Sequence, residues 1–252
     1  VDDGSTDATL EVLSRYRDPR LRVEGNARNL GIPATRNRGL ELARGEYIAL
    51  LDSDDKSWPN RLARQVETLD RHPELAQVGS ACDFMDDQGQ RLKRVRRQPL
   101  AADDVAASLA FYCALTNRTI MARTAILREH GYREDFPRCQ DYELHQRLSR
   151  TQRMANLADI LVCGREHSGR FTKQTDALGR ERKREICRRA LIETGLVELL
   201  PALSLVDVGA ESCDRARWRR PHRDALFLLL PAPAACATRQ PWGWLSSRDD
   251  RC

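Results

Sequence analysis

Apolar residues in the first hundred positions follow two rhythms. Leu10, Leu13 and Tyr16 recur near helical spacing, and so do Leu62, Val66 and Leu69. Pro33 suits the first turn of a helix ending at Gly45, and Pro59 opens the helix that Pro73 stops. Short extended runs lie between: Leu21-Arg22-Val23, the continuous run from Tyr47 to Leu51, and Gln77 to Met85. In the last of these Val78, Cys82 and Phe84 alternate as inward positions. Val1 reads as the end of a further strand, and Asp86-Asp87-Gln88-Gly89 as a turn. Strands alternating with helices predict an α/β fold whose mostly parallel sheet carries helices on both faces.

Past Leu100 the rhythm loosens. Asp103 to Tyr112 reads as helix, Arg118 to Ala122 as extended, and Thr124 to His130 as a helix stopped by Gly131. Asp141 to Arg150 is a strong helical pattern, Ile160 to Cys163 a strand, and Arg180 to Leu200 a long basic helix. From about Ser212 onward Arg, Pro, Ala, Trp and Cys dominate without periodicity. The pattern predicts one domain over residues 1–205 and an irregular tail over 206–252 that is not part of the folded core. A shifted reading frame in a GC-rich gene would give the tail's composition.

The candidate chemistry centres on Asp52-Ser53-Asp54-Asp55, directly after the apolar run. Carboxylates cannot stay unpaired inside a buried layer, so they belong at the C-terminal end of that strand, where open α/β sheets bind ligands. This stretch alone fits either an acidic turn capping the next helix or a site for a hard cation such as Mg²⁺ or Mn²⁺.

Composition narrows the partners. The 252 residues carry a net charge of +5, which weakly favours anionic ligands. No apolar run is long enough to span a bilayer. The eight Cys form no Cys-x-x-Cys pair, which argues against a zinc site or a disulfide framework and fits a reducing cytoplasm. Aromatic residues in the first 200 positions are sparse and not interleaved with the cations, which speaks against nucleic acid as the partner.

Several stretches in order resemble glycosyltransferase family 2, whose members have the GT-A nucleotide-sugar-binding fold. Val1-Asp2-Asp3-Gly4-Ser5-Thr6-Asp7 is similar to the family's first nucleotide loop. Asn29-Leu30-Gly31 with Ala34-Thr35-Arg36-Asn37 is similar to its second. Gly45-Glu46-Tyr47-Ile48 leading to Asp52-Ser53-Asp54-Asp55 resembles its D-x-D motif, and Gln140-Asp141-Tyr142-Glu143-Leu144 its base helix. The resemblance covers roughly residues 1–170. Two departures stand out. The family's first strand and helix are missing before the Val-Asp-Asp loop. Gln140 replaces the usual Glu, so a negative charge beside Asp141 is lost.

The resemblance implies an inverting transferase that takes a sugar from a nucleotide-diphospho-sugar. Asp2, Asp3, Ser5, Asn29, Arg36 and Asp52 would bind the donor, with Asp2 on the base ring and Arg36 near the diphosphate. Asp54, Asp52 and His167 would hold Mn²⁺ or Mg²⁺, and Asp141 would be the general base. Asp55 would cap or support. The acceptor would be a surface glycan, a lipid-linked sugar or a small polar molecule. The basic helix fits either a solvated face or peripheral contact with anionic lipid at the inner face of the membrane. The rival expectation is a nucleotide-binding remnant that does not catalyse.

Overall fold

The computed structural model describes residues 1–167 and 177–204. All belong to one unit, Val1–Glu211, and the tail expected to be irregular lies outside the described residues. The elements in order are α1 (Thr9–Ser14), α2 (Ile32–Leu42), β1 (Tyr47–Ala49), β2 (Lys56–Ser57), α3 (Arg61–Arg71), β3 (Leu75–Met85) and β4 (Arg91–Arg96). Then come α4 (Ala102–Ser108), β5 (Met121–Arg123), α5 (Thr124–His130), α6 (Gln140–Leu148), β6 (Arg153–Arg165) and α7 (Ala177–Glu193).

The sheet has six strands in the order β1-β5-β3-β6-β2, with β4 on β3. Its centre is the parallel pair of β3 and β6, which runs from Leu75–Arg153 to Met85–Arg165 with shifts of register on the way. All eleven residues of β3 are buried, so the expected alternation of inward and outward positions is absent. A strand covered on both faces has no outward side. The helix-flanked sheet is as expected, but its pairing is mixed rather than mostly parallel. β5 is antiparallel to β1 and β3, β2 to β6, and β4 to β3. The β3–β4 case has a simple cause. A tight turn with Gly89 at φ 81° joins the two strands, and so short a link permits only antiparallel pairing.

The run from Tyr47 to Leu51 was expected to be a strand buried on both faces. Only three residues form β1, they are partly exposed, and Leu51 is 45% exposed. Buried Arg61 of α3 ends the strand by donating to the carbonyls of Leu50 (2.6 Å) and Ile120 (3.2 Å). Burial draws its guanidinium down to about 10. Gln65, one turn on, donates to the carbonyls of Val78 and Thr119. These two polar side chains tie α3 to the sheet immediately before the acidic turn.

Apolar packing is uneven. Leu109, Leu115, Phe136, Leu144, Leu148 and Leu191 belong to a large cluster joining α4, α6 and α7. By contrast α1 buries no residue, and the expected strand over Leu21-Arg22-Val23 does not form. A single parallel bridge, Asp2 to Gly25, stands in its place. The basic helix expected to reach Leu200 ends at Glu193, because Gly195 at φ 75° leaves the helical region. Among the described residues no helix is long and apolar enough to cross a membrane.

Candidate active site

The acidic turn divides its carboxylates by direction. Asp55 points inward, fully buried, and accepts two hydrogen bonds from Arg118 Nη1 (2.6 and 2.7 Å) and one from the Arg165 amide (2.8 Å). Burial pushes this carboxyl up, against the opposing pull of Arg118 and the amide. Asp52 and Asp54 stay more than a third exposed. Asp52 lies between two cations, 3.6 Å from Arg36 and 3.7 Å from Arg118. Arg165 steadies the turn by donating to the Asp54 carbonyl and, across the cleft edge, to the carbonyls of Asp86 and Asp87. Gly164 makes room for this arrangement. A Cβ there would stand 2.8 Å from Arg118 Nη1.

His167 and Asp54 come together, with Nε2 and Oδ2 3.2 Å apart. Two neighbouring ligands of an octahedral ion at about 2.1 Å would be about 3 Å apart, so this pair fits a Mg²⁺- or Mn²⁺-sized ion. Among the described residues no group of three or more His, Cys, Asp or Glu converges on one point. Such an ion would therefore need oxygens from its ligand, the usual habit of Mg²⁺ with phosphates.

The first loop is held by its own acids. Asp2 accepts from the amides of Gly4 and Ser5 and from the Ser5 hydroxyl, and these bonds hold its carboxyl low. Asp3 reaches the second loop, accepting from Asn26 Nδ2 and from the amides of Leu30 and Gly31 at 2.8–2.9 Å. Burial works against the Asp3 carboxylate, but these bonds outweigh it and keep the carboxyl below its ordinary value. Asn29 is exposed. Its buried neighbour Asn26 organises the loop instead, donating to Thr35 of α2 and accepting from Arg38. One residue beyond Thr35, Arg36 leaves the same helix toward Asp52. Its guanidinium lies 5.4 Å from the centre of the Tyr132 ring.

Tyr132 closes the link to the far wall. Asn37 grips its backbone at both the amide and the carbonyl (2.7 and 2.9 Å). Burial raises its hydroxyl to about 12, and the charges of Arg36, Asp141 and Asp52 all act on it. Asp141 occupies the second position of α6, partly exposed, with Oδ1 accepting the Tyr142 amide. The residue before the helix, Cys139, takes a left-handed φ of 58°, which turns the chain into α6. Arg118, Tyr132, Asn26 and His145 were not nominated from sequence. No local pattern distinguishes them from ordinary Arg, Tyr, Asn and His.

The geometry can be set beside known proteins. Residues 1–128 match the family model described as glycosyl transferase family 2. An uncharacterized glycosyltransferase of Haemophilus influenzae is 27% identical over 224 residues, covering 82% of this chain and 69% of that protein. The succinoglycan biosynthesis protein ExoO of Rhizobium meliloti is 47% identical over 70 residues, 28% of this chain and 20% of ExoO. Among solved structures, S. aureus TarS in complex with UDP-GlcNAc superposes with a TM-score of 0.62 at 18% identity. The match covers 90% of this chain and 68% of the TarS chain.

Proposed function

Because this chain belongs to glycosyltransferase family 2, we propose that it transfers a sugar from a nucleotide-diphospho-sugar to an acceptor hydroxyl, with inversion at the anomeric carbon, in the building of a polysaccharide. One arrangement carries the reading: Arg36 lies 3.6 Å from Asp52 and over the ring of buried Tyr132, so the helix of the second loop reaches the acidic turn. The relatives in polysaccharide synthesis and the UDP-GlcNAc complex of TarS support the choice of donor and pathway class.

In this reading Asp3 and Asn26 shape the nucleotide loop, and Asp2 presents its edge to the base ring. Arg36 faces the diphosphate beside Asp52. Asp54 and His167 would hold a divalent cation, which would supply positive charge against the departing nucleoside diphosphate. Asp141 takes the proton from the acceptor hydroxyl as its oxygen bonds to the anomeric carbon and the bond to the diphosphate breaks. A single displacement of this kind inverts that carbon.

The test is a panel of nucleotide sugars assayed for diphosphate release with Mn²⁺. Asp54→Asn is expected to abolish metal-dependent donor binding, and Asp141→Asn to keep binding and lose transfer. Normal turnover in both variants would overturn these roles. A second reading, nucleotide binding without transfer, draws on the sparse packing of α1. Donor binding with no diphosphate released from any sugar selects it.

A further inference from the structure

Three buried hydrogen-bonding atoms around Asp141 have no partner among the described residues: Arg36 Nη1, Tyr132 Oη and His145 Nε2. They come from α2, from the segment after α5, and from α6. Arg36 lies over the Tyr132 ring, and the charges of Asp141 and Arg36 act on both Tyr132 and His145. His145 is one helical turn beyond Asp141, on the same face of α6. A buried donor left unpaired costs roughly 1–3 kcal/mol, and native proteins keep few of them. Three together are unmet donors that a ligand's oxygens would satisfy.

The two uncharged members are both buried. His145 is 1% exposed, and its Nδ1 accepts from Gln77 Nε2 at 2.8 Å, as the Gln77 amide is assigned. With Gln77 Nε2 as the donor, the ring proton sits on Nε2. Burial, aided by Arg36 and opposed by Asp141, draws this imidazole down to about 4, so it is neutral at ordinary pH. Tyr132 keeps its hydroxyl proton for the same reason, burial. Neutral donors suit neutral hydroxyls. A diphosphate in this position would be repelled by the Asp141 carboxylate, and Arg36 is the only cation of the three. In the transferase reading a sugar sits between the diphosphate side at Asp52 and the base at Asp141, and the charges of both act on Tyr132.

We propose that Tyr132 and His145, with Arg36 beside them, form the subsite that reads the hydroxyl groups of the transferred sugar and so select which sugar is moved. The proposal rests on the transferase reading above. Gln77 serves as the positioning residue that holds the His145 tautomer.

Calorimetry with Mn²⁺ separates the two claims, using UDP, GDP and TDP and their glucose, galactose and N-acetylglucosamine adducts. Wild-type chain is expected to bind one sugar nucleotide more tightly than its parent diphosphate. Tyr132→Phe and His145→Leu should each leave diphosphate affinity within about twofold. Each should weaken the sugar nucleotide roughly tenfold, the loss of one hydrogen bond. A deoxy-sugar donor lacking the matching hydroxyl should bind variant and wild type alike. Equal weakening of diphosphate and sugar nucleotide, or no weakening of either, overturns the subsite and leaves the transferase reading standing. A wild-type chain that binds no sugar nucleotide overturns both. Should His145→Leu fail to fold, Tyr132→Phe, which removes one oxygen, decides alone.

Discussion

Residues 1–31 and the β3–β6 pair are held together by different forces. In the first region Val1, Leu10, Val12, Leu21 and Val23 are all more than 40% exposed, and α1 buries nothing. Order there comes from two carboxylates: Asp2 gathers its own loop, and Asp3 ties that loop to the next. In the second region all eleven residues of β3 are buried and the pairing with β6 runs the length of both strands. Burial removes apolar area from water and supplies most of a fold's stability. Hydrogen bonds to a few acids supply direction but little net energy. The comparison teaches that the two N-terminal loops are placed by polar contacts beside a slab held by burial, as ligand loops commonly are.

The contrast can be broken most severely at the slab's end. Arg118→Ala leaves the Asp55 carboxylate buried and unpaired. It should cost about 3–5 kcal/mol of global stability, read as a fall in the denaturant midpoint. A loss under about 1 kcal/mol would mean that water replaces the arginine there. The loop side should respond locally. Asp3→Ala removes three hydrogen bonds and should cost no more than roughly 1–3 kcal/mol, seen as faster exchange of the Leu30 and Gly31 amides while β3 stays protected. Acid should act in the same direction. Because the folded Asp3 carboxyl lies below its ordinary value of 3.8, its contribution is present above that pH and is lost as pH falls through the lower folded value. A pH titration of the Leu30 and Gly31 amide shifts reads this directly. The smallest effect is expected at Leu10→Ser, within about 0.5 kcal/mol by thermal unfolding, since Leu10 is 44% exposed. A larger loss would show that α1 is packed in solution.

Local signals made much of the fold legible. The helix Thr124–His130 with its Gly131 stop stands where the sequence placed it, because both boundary signals lie within the segment. The acidic turn likewise follows the apolar run. β4 was missed because Arg91–Arg96 carries four cations and no apolar alternation. It is a strand because β3 supplies its hydrogen-bonding partner and Phe84 supplies a ring for Arg94, 4.0 Å away. Within the site, the acids could be nominated from motif order, and their partners could not. Arg118 meets Asp55 across 63 positions, and His145 meets Gln77 across 68. Such roles are created by the fold, and neither spacing nor residue type announces them.

Gly164 carries an evolutionary consequence. The Arg118 tip that a new methyl group would meet is also the tip that neutralises Asp55, so any displacement that relieves the contact is felt by that carboxylate. Change at either position is therefore felt at the other. A lineage that acquires alanine at 164 is expected to adjust residue 118 as well, so changes at 164, 118 and 55 should travel together.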